Sequence, residues 1–228
     1  MSANQNGASA TLNASLIQVS PHFTLDTDTS TVTEYPDCGE ARPYEFDDET
    51  LPAKIFRDRV TGWFFDVAVK LLQEGQDVAA VHLVTPLIEA LEERVRGEPS
   101  TGHSEDFFTA SAQRILNLTD QKGLKLLYGG LRCGFAHHGF LKDDAKQSNI
   151  LLTRDLTGPV VYVDTILWVD VPQYVDAVRG AYEEYYNDLT DPDKKTKFLR
   201  LWAKDWQMSL RVPGAGGSIP VPGSVTKK

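Results

Sequence analysis

The residues with the clearest chemical potential are Arg132 and His137, which are separated by four residues in the second half of the chain. They lie in the stretch 128–140, which also holds four glycines, a second histidine and one of the two cysteines. A guanidinium group holds an anion in a forked geometry, and an imidazole takes up or releases a proton near neutral pH. Together the two side chains favour chemistry on a phosphate group.

Arg132 and His137 also have purely structural interpretations. Arg132 would brace the helices through a carboxylate such as Glu89, and His137 would be a core histidine near a helix end. Five positions along an ideal helix turn the chain by about 140°. The two side chains therefore share a face only through the length of the arginine or through a bend at Gly134. The sequence leaves both interpretations open.

Three neighbouring residues are assigned to the surroundings of this pair. Cys133 is expected to be a small buried apolar residue rather than a reactive thiol. Tyr128, one turn before Arg132, is expected to pack in the core, with a hydrogen bond to a phosphate as the alternative. His138 is expected to be exposed to solvent or to support the site from its periphery.

Composition and charge bear on nucleic-acid binding, disulfides and metal sites. A net charge of -9 repels a polyanion overall, so a surface for nucleic acid has to be local or assembled between subunits. Cys38 and Cys133 lie too far apart in sequence to indicate a disulfide scaffold, and no spacing of Cys and His is typical of a zinc site. We therefore expect neither a metal nor another cofactor.

The expected location is the cytoplasm. Lys and Arg are absent before Arg42 and no apolar run follows the start, so we predict no secretory signal peptide. No stretch approaches the length of a membrane span, and we expect no association with a membrane.

Apolar spacing of three and four residues predicts about five or six helices from Leu51 onward. Their predicted ranges are 51–71, 77–96, 104–116, 123–140, 174–186 and 191–206. Pro86 would kink the second helix or start a new one, and Gly97 would end it. The aromatic residues after position 180 are expected to lie in the core.

Two β-branched runs, 150–153 and 160–163, predict a small hairpin between the fourth helix and the next, with 166–169 as an optional third strand. Residues 1–50 are predicted to be a weakly structured N-terminal arm, either disordered or lying on the domain surface. Within it, 16–19 and 23–25 would form short strands or lie against the main domain. The main domain is predicted at 51–211, followed by a flexible tail at 212–228. The expected fold is mainly α, a helical bundle with a small β-hairpin insertion.

The order of motifs resembles the HEPN superfamily of helical bundles. The stretches 88–91 and 107–108 precede the sequence Leu-Arg-Cys-Gly-Phe-Ala-His-His-Gly at 131–139. The signature of the superfamily is an Arg, four to six intervening residues and a His, and both His137 and His138 satisfy it. The Arg-Cys-Gly version of the motif is similar to that of prokaryotic HEPN-like proteins.

The resemblance extends from about Leu51 to Met208 and implies a function. Many members are metal-independent endoribonucleases of toxin–antitoxin, phage-defence and RNA-processing systems, in which two protomers face each other. It implies an RNA substrate, a homodimer and a cognate antitoxin or defence-system protein. Arg132 would hold the scissile phosphate, and His137 would act as general acid/base.

The chain departs from the catalytic pattern at Cys133, where catalytic members typically carry Asn, Asp or His. A thiol orients a phosphate or a water molecule less well than these side chains do. The alternative is a non-catalytic HEPN-like module that binds a protein partner or a nucleotide. The acidic net charge and Cys133 favour this module, whereas the Arg, His and glycines of the motif favour the nuclease.

Overall fold

The computed structural model of the chain describes residues 16–134 and 149–209. Most of these residues are helical, which confirms the mainly α class. When helical segments that follow one another without a break are counted as one helix, the described residues contain six helices. Their segments are α1 (Leu51–Val60), which continues through a π-helical segment (Thr61–Phe65) into α2 (Asp66–Gln73), α3 (Asp77–Arg96), α4 (Ser104–Leu116), α5 (Gln121–Leu126) with a second π-helical segment (Leu127–Cys133), α6 (Val171–Asn187) with a 3-10 turn (Asp188–Thr190), and α7 (Pro192–Ser209).

Helix α3 is the element against which several other helices pack. It contacts α2, α4, α6 and α7, and its residues Val81, Val84 and Ile88 are fully buried. The helix continues across Pro86, so this proline does not start a new helix. Gly97 ends α3 with a φ of +73°, at the place that the sequence predicts.

The aromatic residues of α6 and α7 lie in the core, as predicted. Tyr182, Trp202 and Trp206 are each almost completely buried. The Tyr182 hydroxyl donates to the Leu87 carbonyl at 3.0 Å, so burial does not leave it without a partner. Within 16–134 and 149–209, none of the helices combines the length and the apolar character that a bilayer crossing requires.

The described part of the N-terminal region contains a sheet, so the expectation of a weakly structured arm is wrong for residues 16–44. The alternative of short strands at 16–19 and 23–25 is confirmed. Four antiparallel strands follow one another in sequence order: β1 (Leu16–Gln18), β2 (Phe23–Asp26), β3 (Thr31–Glu34) and β4 (Arg42–Tyr44). Phe23, Leu25 and Val32 are buried. The region has few apolar residues, but the two-residue period of the strands places these three on the face that joins the core.

Two close contacts hold this sheet against α1 and the first π-helical segment. Asp58 on α1 accepts a hydrogen bond from the His22 backbone N–H at 2.8 Å, and its other oxygen lies 2.6 Å from Nδ1 of the same histidine. A Cβ at Gly62 would lie 2.5 Å from Cγ of Pro21. Glycine at this position therefore permits the chain between β1 and β2 to approach the helix.

A second sheet follows the motif, and its pairing differs from the prediction. It consists of β5 (Asn149–Thr153), β6 (Val160–Val163) and β7 (Ile166–Asp170) in the spatial order β5-β7-β6. The predicted hairpin of 150–153 with 160–163 is wrong, because β5 pairs in parallel with β7. The hairpin instead joins β6 to β7 through Asp164 and Thr165, which both have positive φ, as tight two-residue turns require. The third strand predicted at 166–169 is present.

Candidate functional site

The described part of the motif lies on the π-helical segment Leu127–Cys133. Asp120 caps the start of α5, where its Oδ1 accepts from the backbone N–H groups of Lys122 and Gly123 at 2.9 Å each. A Cβ at Gly123 would lie 2.9 Å from Cβ of Tyr162, so glycine allows this helix to lie close to β6. Single π-helical turns inside α-helices frequently occur at functional sites.

Arg132 is held by Glu89 of α3. The Arg132 Nε donates to Oε2 of Glu89 at 2.9 Å. The arginine side chain is 26% exposed and the glutamate side chain 9% exposed. Among the described residues, Glu89 is the one hydrogen-bonding partner of Arg132. The side chain is therefore anchored along one edge, while part of it remains open to solvent.

Glu89 is itself fixed by the turn that follows α3. The Ser100 hydroxyl donates to Oε1 of Glu89 at 2.5 Å, and the Ser100 backbone N–H donates to Oε1 of Glu93 at 2.7 Å. The left-handed conformation of Gly97 reverses the chain so that Ser100 returns to the helix. Each carboxylate oxygen of Glu89 thus accepts one hydrogen bond, which allows the charge to be buried.

Tyr128 and Cys133 lie beside Arg132. The Tyr128 ring packs on Phe108 with the ring centroids 5.6 Å apart, as the packing interpretation predicts. The pKa of the Tyr128 hydroxyl is raised above its usual value, chiefly because burial disfavours the phenolate; the Cys133 thiol adds to the rise and the charge of Arg132 opposes it. Cys133 is a free cysteine and is half-buried rather than fully buried.

His137 and His138 fall outside the described residues, so the pairing of Arg132 with His137 stays a prediction. Between 16 and 134 and between 149 and 209, no group of three or more His, Cys, Asp or Glu side chains is arranged to hold a metal ion.

A second buried glutamate lies one turn further along α3. Glu92 accepts a hydrogen bond from Nε of Arg96 at 2.7 Å, and Nη1 of Arg114 lies 3.0 Å from its Oε2. The Arg114 contact has the distance of an ion pair but lacks the alignment of a hydrogen bond, since Oε2 accepts none from the described residues. Arg96 also covers the ring of Phe107, with its guanidinium carbon 4.2 Å from the ring centroid.

The Glu89 partner of Arg132 is the one that the structural interpretation of the sequence names. Ser100 and the Glu92 cluster were not predicted. The four-residue spacing of Glu92 and Arg96 is a recognisable signal for an ion pair on a helix. No comparable signal exists for Ser100, because its contact depends on the turn made at Gly97.

No protein-family model matches the chain, and neither a curated protein nor a solved structure does.

Proposed function

We propose that the protein is a HEPN-type, metal-independent endoribonuclease. The observation that carries this proposal is the state of Arg132, which is oriented through Nε by a buried carboxylate and is still 26% exposed. An arginine held in this way has its two terminal nitrogens left to form a fork for phosphate oxygens. Its orientation is fixed before a substrate arrives, which lowers the reorganisation cost of stabilising charge on the phosphate.

The proposed reaction uses the ribose of the RNA as its nucleophile. A His137 imidazole takes the proton from the 2′-hydroxyl, whose oxygen attacks the adjacent phosphorus. The bond from phosphorus to the 5′-oxygen of the next nucleotide breaks, and a protonated imidazole supplies the proton to that oxygen. The products are a 2′,3′-cyclic phosphate and a 5′-hydroxyl. In a two-fold dimer, two histidines are available for the two proton transfers.

The proposed setting is the one that the HEPN resemblance implies, a cytoplasmic stress, toxin–antitoxin or phage-defence system. A homodimer would supply the second Arg132 and His137, and an antitoxin or defence-system protein would restrain the nuclease. Because the chain carries a net charge of -9, the RNA has to meet a local positive surface around the motif.

A second candidate function is supported by the same ion pair. A carboxylate that is only 9% exposed and accepts hydrogen bonds from Arg132 and Ser100 also braces the helices without any catalysis. In that case the protein is a non-catalytic HEPN-like module that binds a protein partner or a nucleotide. The wild type would then not cleave RNA, and removing Arg132 would only lower the stability of the protein.

The test is cleavage of a mixed RNA pool in EDTA by the wild type, Arg132→Ala, His137→Ala and Arg96→Ala. Arg96 is the matched control because its Nε also donates to a buried glutamate of α3. We expect the wild type and Arg96→Ala to cut, and the other two variants to lose about 100-fold or more in rate. Intact RNA with the wild type, or cutting by all four proteins alike, would contradict the proposal and favour the binding module.

A further inference from the structure

A cavity of about 590 Å³ lies between α3, α4, α6 and the start of α7, and Arg132 is not among its lining residues. Its apolar wall includes Leu91 and Val95 of α3 and Ile115 of α4. Val95 is 37% exposed, although valine favours burial in a helix that faces the core. Cavities of this volume with an apolar wall are typical of sites for small molecules.

Gly180 leaves one side of the cavity without a side chain. It lies in the interior of α6, between Ala177 and Ala181, which also line the cavity. Apart from its chain neighbours and the adjacent backbone of α6, no described atom lies within 4 Å of the position that a Cβ at Gly180 would take. Glycine weakens a helix relative to alanine, and the surrounding packing does not require it here. The missing side chain leaves space beside the α6 backbone.

Charged residues accompany the apolar wall. The cavity is lined by three cations, Arg114, Lys194 and Lys197, and by two carboxylates, Glu184 and Asp188. Lys194 is neutralised by Asp188, with Nζ and Oδ2 2.5 Å apart. Lys197 makes no ion pair with another described residue. The cavity therefore has a surplus of positive charge in a chain whose net charge is -9.

Arg114 is the second cation that is available to a ligand. Its side chain is 50% exposed and reaches Glu92 without the alignment of a hydrogen bond. Glu92 already accepts a well-formed hydrogen bond from Arg96. The other terminal nitrogen of Arg114, Nη2, makes only a long hydrogen bond of 3.4 Å to the Ser111 hydroxyl. Nη2 can therefore turn to an anion in the cavity while Nη1 stays beside Glu92.

We propose that this cavity binds a small organic anion, with its apolar body against Leu91, Val95 and Ile115 and its anionic group between Arg114 and Lys197. A carboxylate and a phosphate monoester both supply the required head group, which an arginine and a lysine recognise through charged hydrogen bonds. This site does not depend on the ribonuclease proposal, because none of the motif residues that the structure describes lines the cavity.

The experiment uses the full chain and two fluorescent probes with the same aromatic body. One is 1-anilinonaphthalene-8-sulfonate, and the other is N-phenyl-1-naphthylamine, which lacks the sulfonate. We expect saturable binding of the sulfonated probe to the folded protein. Octanoate and adenosine monophosphate are then added as competitors, and displacement by either one supports the site and identifies the head group. Absence of saturable binding, or displacement by neither competitor, overturns the proposal.

Three variants test whether the binding occurs in this cavity. Gly180→Leu places a side chain in the space beside α6 and is expected to weaken binding of both probes by about tenfold or more. Gln73→Leu adds the same side chain to an exposed position of α2 and is the control, with affinity unchanged. Gly180→Ala is expected to raise the urea midpoint, because alanine favours the helix and its Cβ meets no described atom within 4 Å beyond its chain neighbours and the adjacent backbone of α6. Equal probe affinity in Gly180→Leu and the wild type overturns the proposal.

The double variant Arg114→Gln/Lys197→Gln tests the role of charge. Because charged hydrogen bonds are lost, we expect the affinity for the sulfonated probe to fall by about tenfold. The affinity for the neutral probe should stay within about twofold of the wild-type value. An equal effect on both probes contradicts an anion site, and urea unfolding of each variant verifies that it is folded.

Discussion

Glu89 and Glu92 lie three residues apart on α3, and each accepts a hydrogen bond from Nε of an arginine. Arg132 donates to Glu89 at 2.9 Å and Arg96 donates to Glu92 at 2.7 Å. The two glutamate side chains are almost equally buried, at 9% and 7% exposed. The two pairs differ in origin, because Arg96 belongs to α3 itself, whereas Arg132 comes from the π-helical segment 43 residues along the chain.

The surroundings of the two arginines differ as well. Arg96 covers the ring of Phe107, and its glutamate also attracts Arg114. Arg132 has Glu89 alone among its described partners, and the other oxygen of Glu89 is occupied by Ser100. The same pairing therefore stabilises one helix locally in the first case and orients a motif arginine between helices in the second.

Removing the glutamates should give the largest difference in stability. Glu89→Ala leaves a partly buried Arg132 without its partner and Ser100 without its acceptor, so we expect the free energy of unfolding to fall by about 2 kcal/mol. Glu92→Ala removes the partner of Arg96 and Arg114, which are both more exposed than Arg132. We therefore expect the free energy of unfolding to fall by about 1 kcal/mol or less. Urea unfolding at neutral pH measures both. Equal losses would show that the two carboxylates have the same role.

Double-mutant cycles measure the pairs themselves. We expect Glu89→Gln with Arg132→Gln to give a coupling of about 1–2 kcal/mol, because the pair is part-buried and joins two helices. The cycle of Glu92→Gln with Arg96→Gln should give about 0.3–0.5 kcal/mol, the range of an ion pair four residues apart on a helix. A larger coupling in the second cycle would reverse the comparison.

The ion pair of His22 with Asp58 differs from the two glutamate–arginine pairs, because its contribution to stability should depend on pH. We expect this effect to be smaller than those above. The hydrogen bond to Asp58 raises the pKa of His22 above its ordinary value of 6.5, burial opposes this, and Asp37 at 3.2 Å from Nε2 adds to the rise. A raised pKa in the folded state means that the stabilisation is complete below about pH 6.5 and is lost as the pH rises through the folded pKa.

The measurement is urea unfolding of the wild type, His22→Gln and Glu92→Gln at several values from about pH 6 to about pH 9. The stability difference between the wild type and His22→Gln should shrink as the pH rises, because neutral His22 loses its charged hydrogen bond to Asp58. The difference for Glu92→Gln should stay constant, since this exchange involves no histidine. A His22→Gln difference that grows with pH would contradict this assignment.

The helical part of the fold could be predicted from the sequence, because its signals are local. Periodic apolar residues gave the helix positions, and Gly97 and the Asp191-Pro192 pair marked one end and one start that the structure confirms. The Glu89 partner of Arg132 was one of two open alternatives. It could be named because both residues were already placed on predicted helices.

The sheets depended on contacts between distant residues, and the sequence predicted them less well. In the N-terminal sheet, β1 to β4 are three or four residues long, too short for the period of two to stand out among polar residues. The parallel pairing of β5 with β7 left no local signal, and the β6–β7 turn uses Asp164 and Thr165 rather than the glycine-containing pairs that mark such turns.

The most direct test of the central claim replaces each arginine by lysine and measures RNA cleavage in EDTA. Lysine keeps the charge but lacks both Nε and the forked geometry that Arg132 is proposed to offer to phosphate. We predict that Arg132→Lys loses about 100-fold in cleavage rate, whereas Arg96→Lys stays within about threefold of the wild type. Wild-type cleavage by Arg132→Lys, or an equal loss in Arg96→Lys, would contradict the proposal that Glu89 orients Arg132 for catalysis.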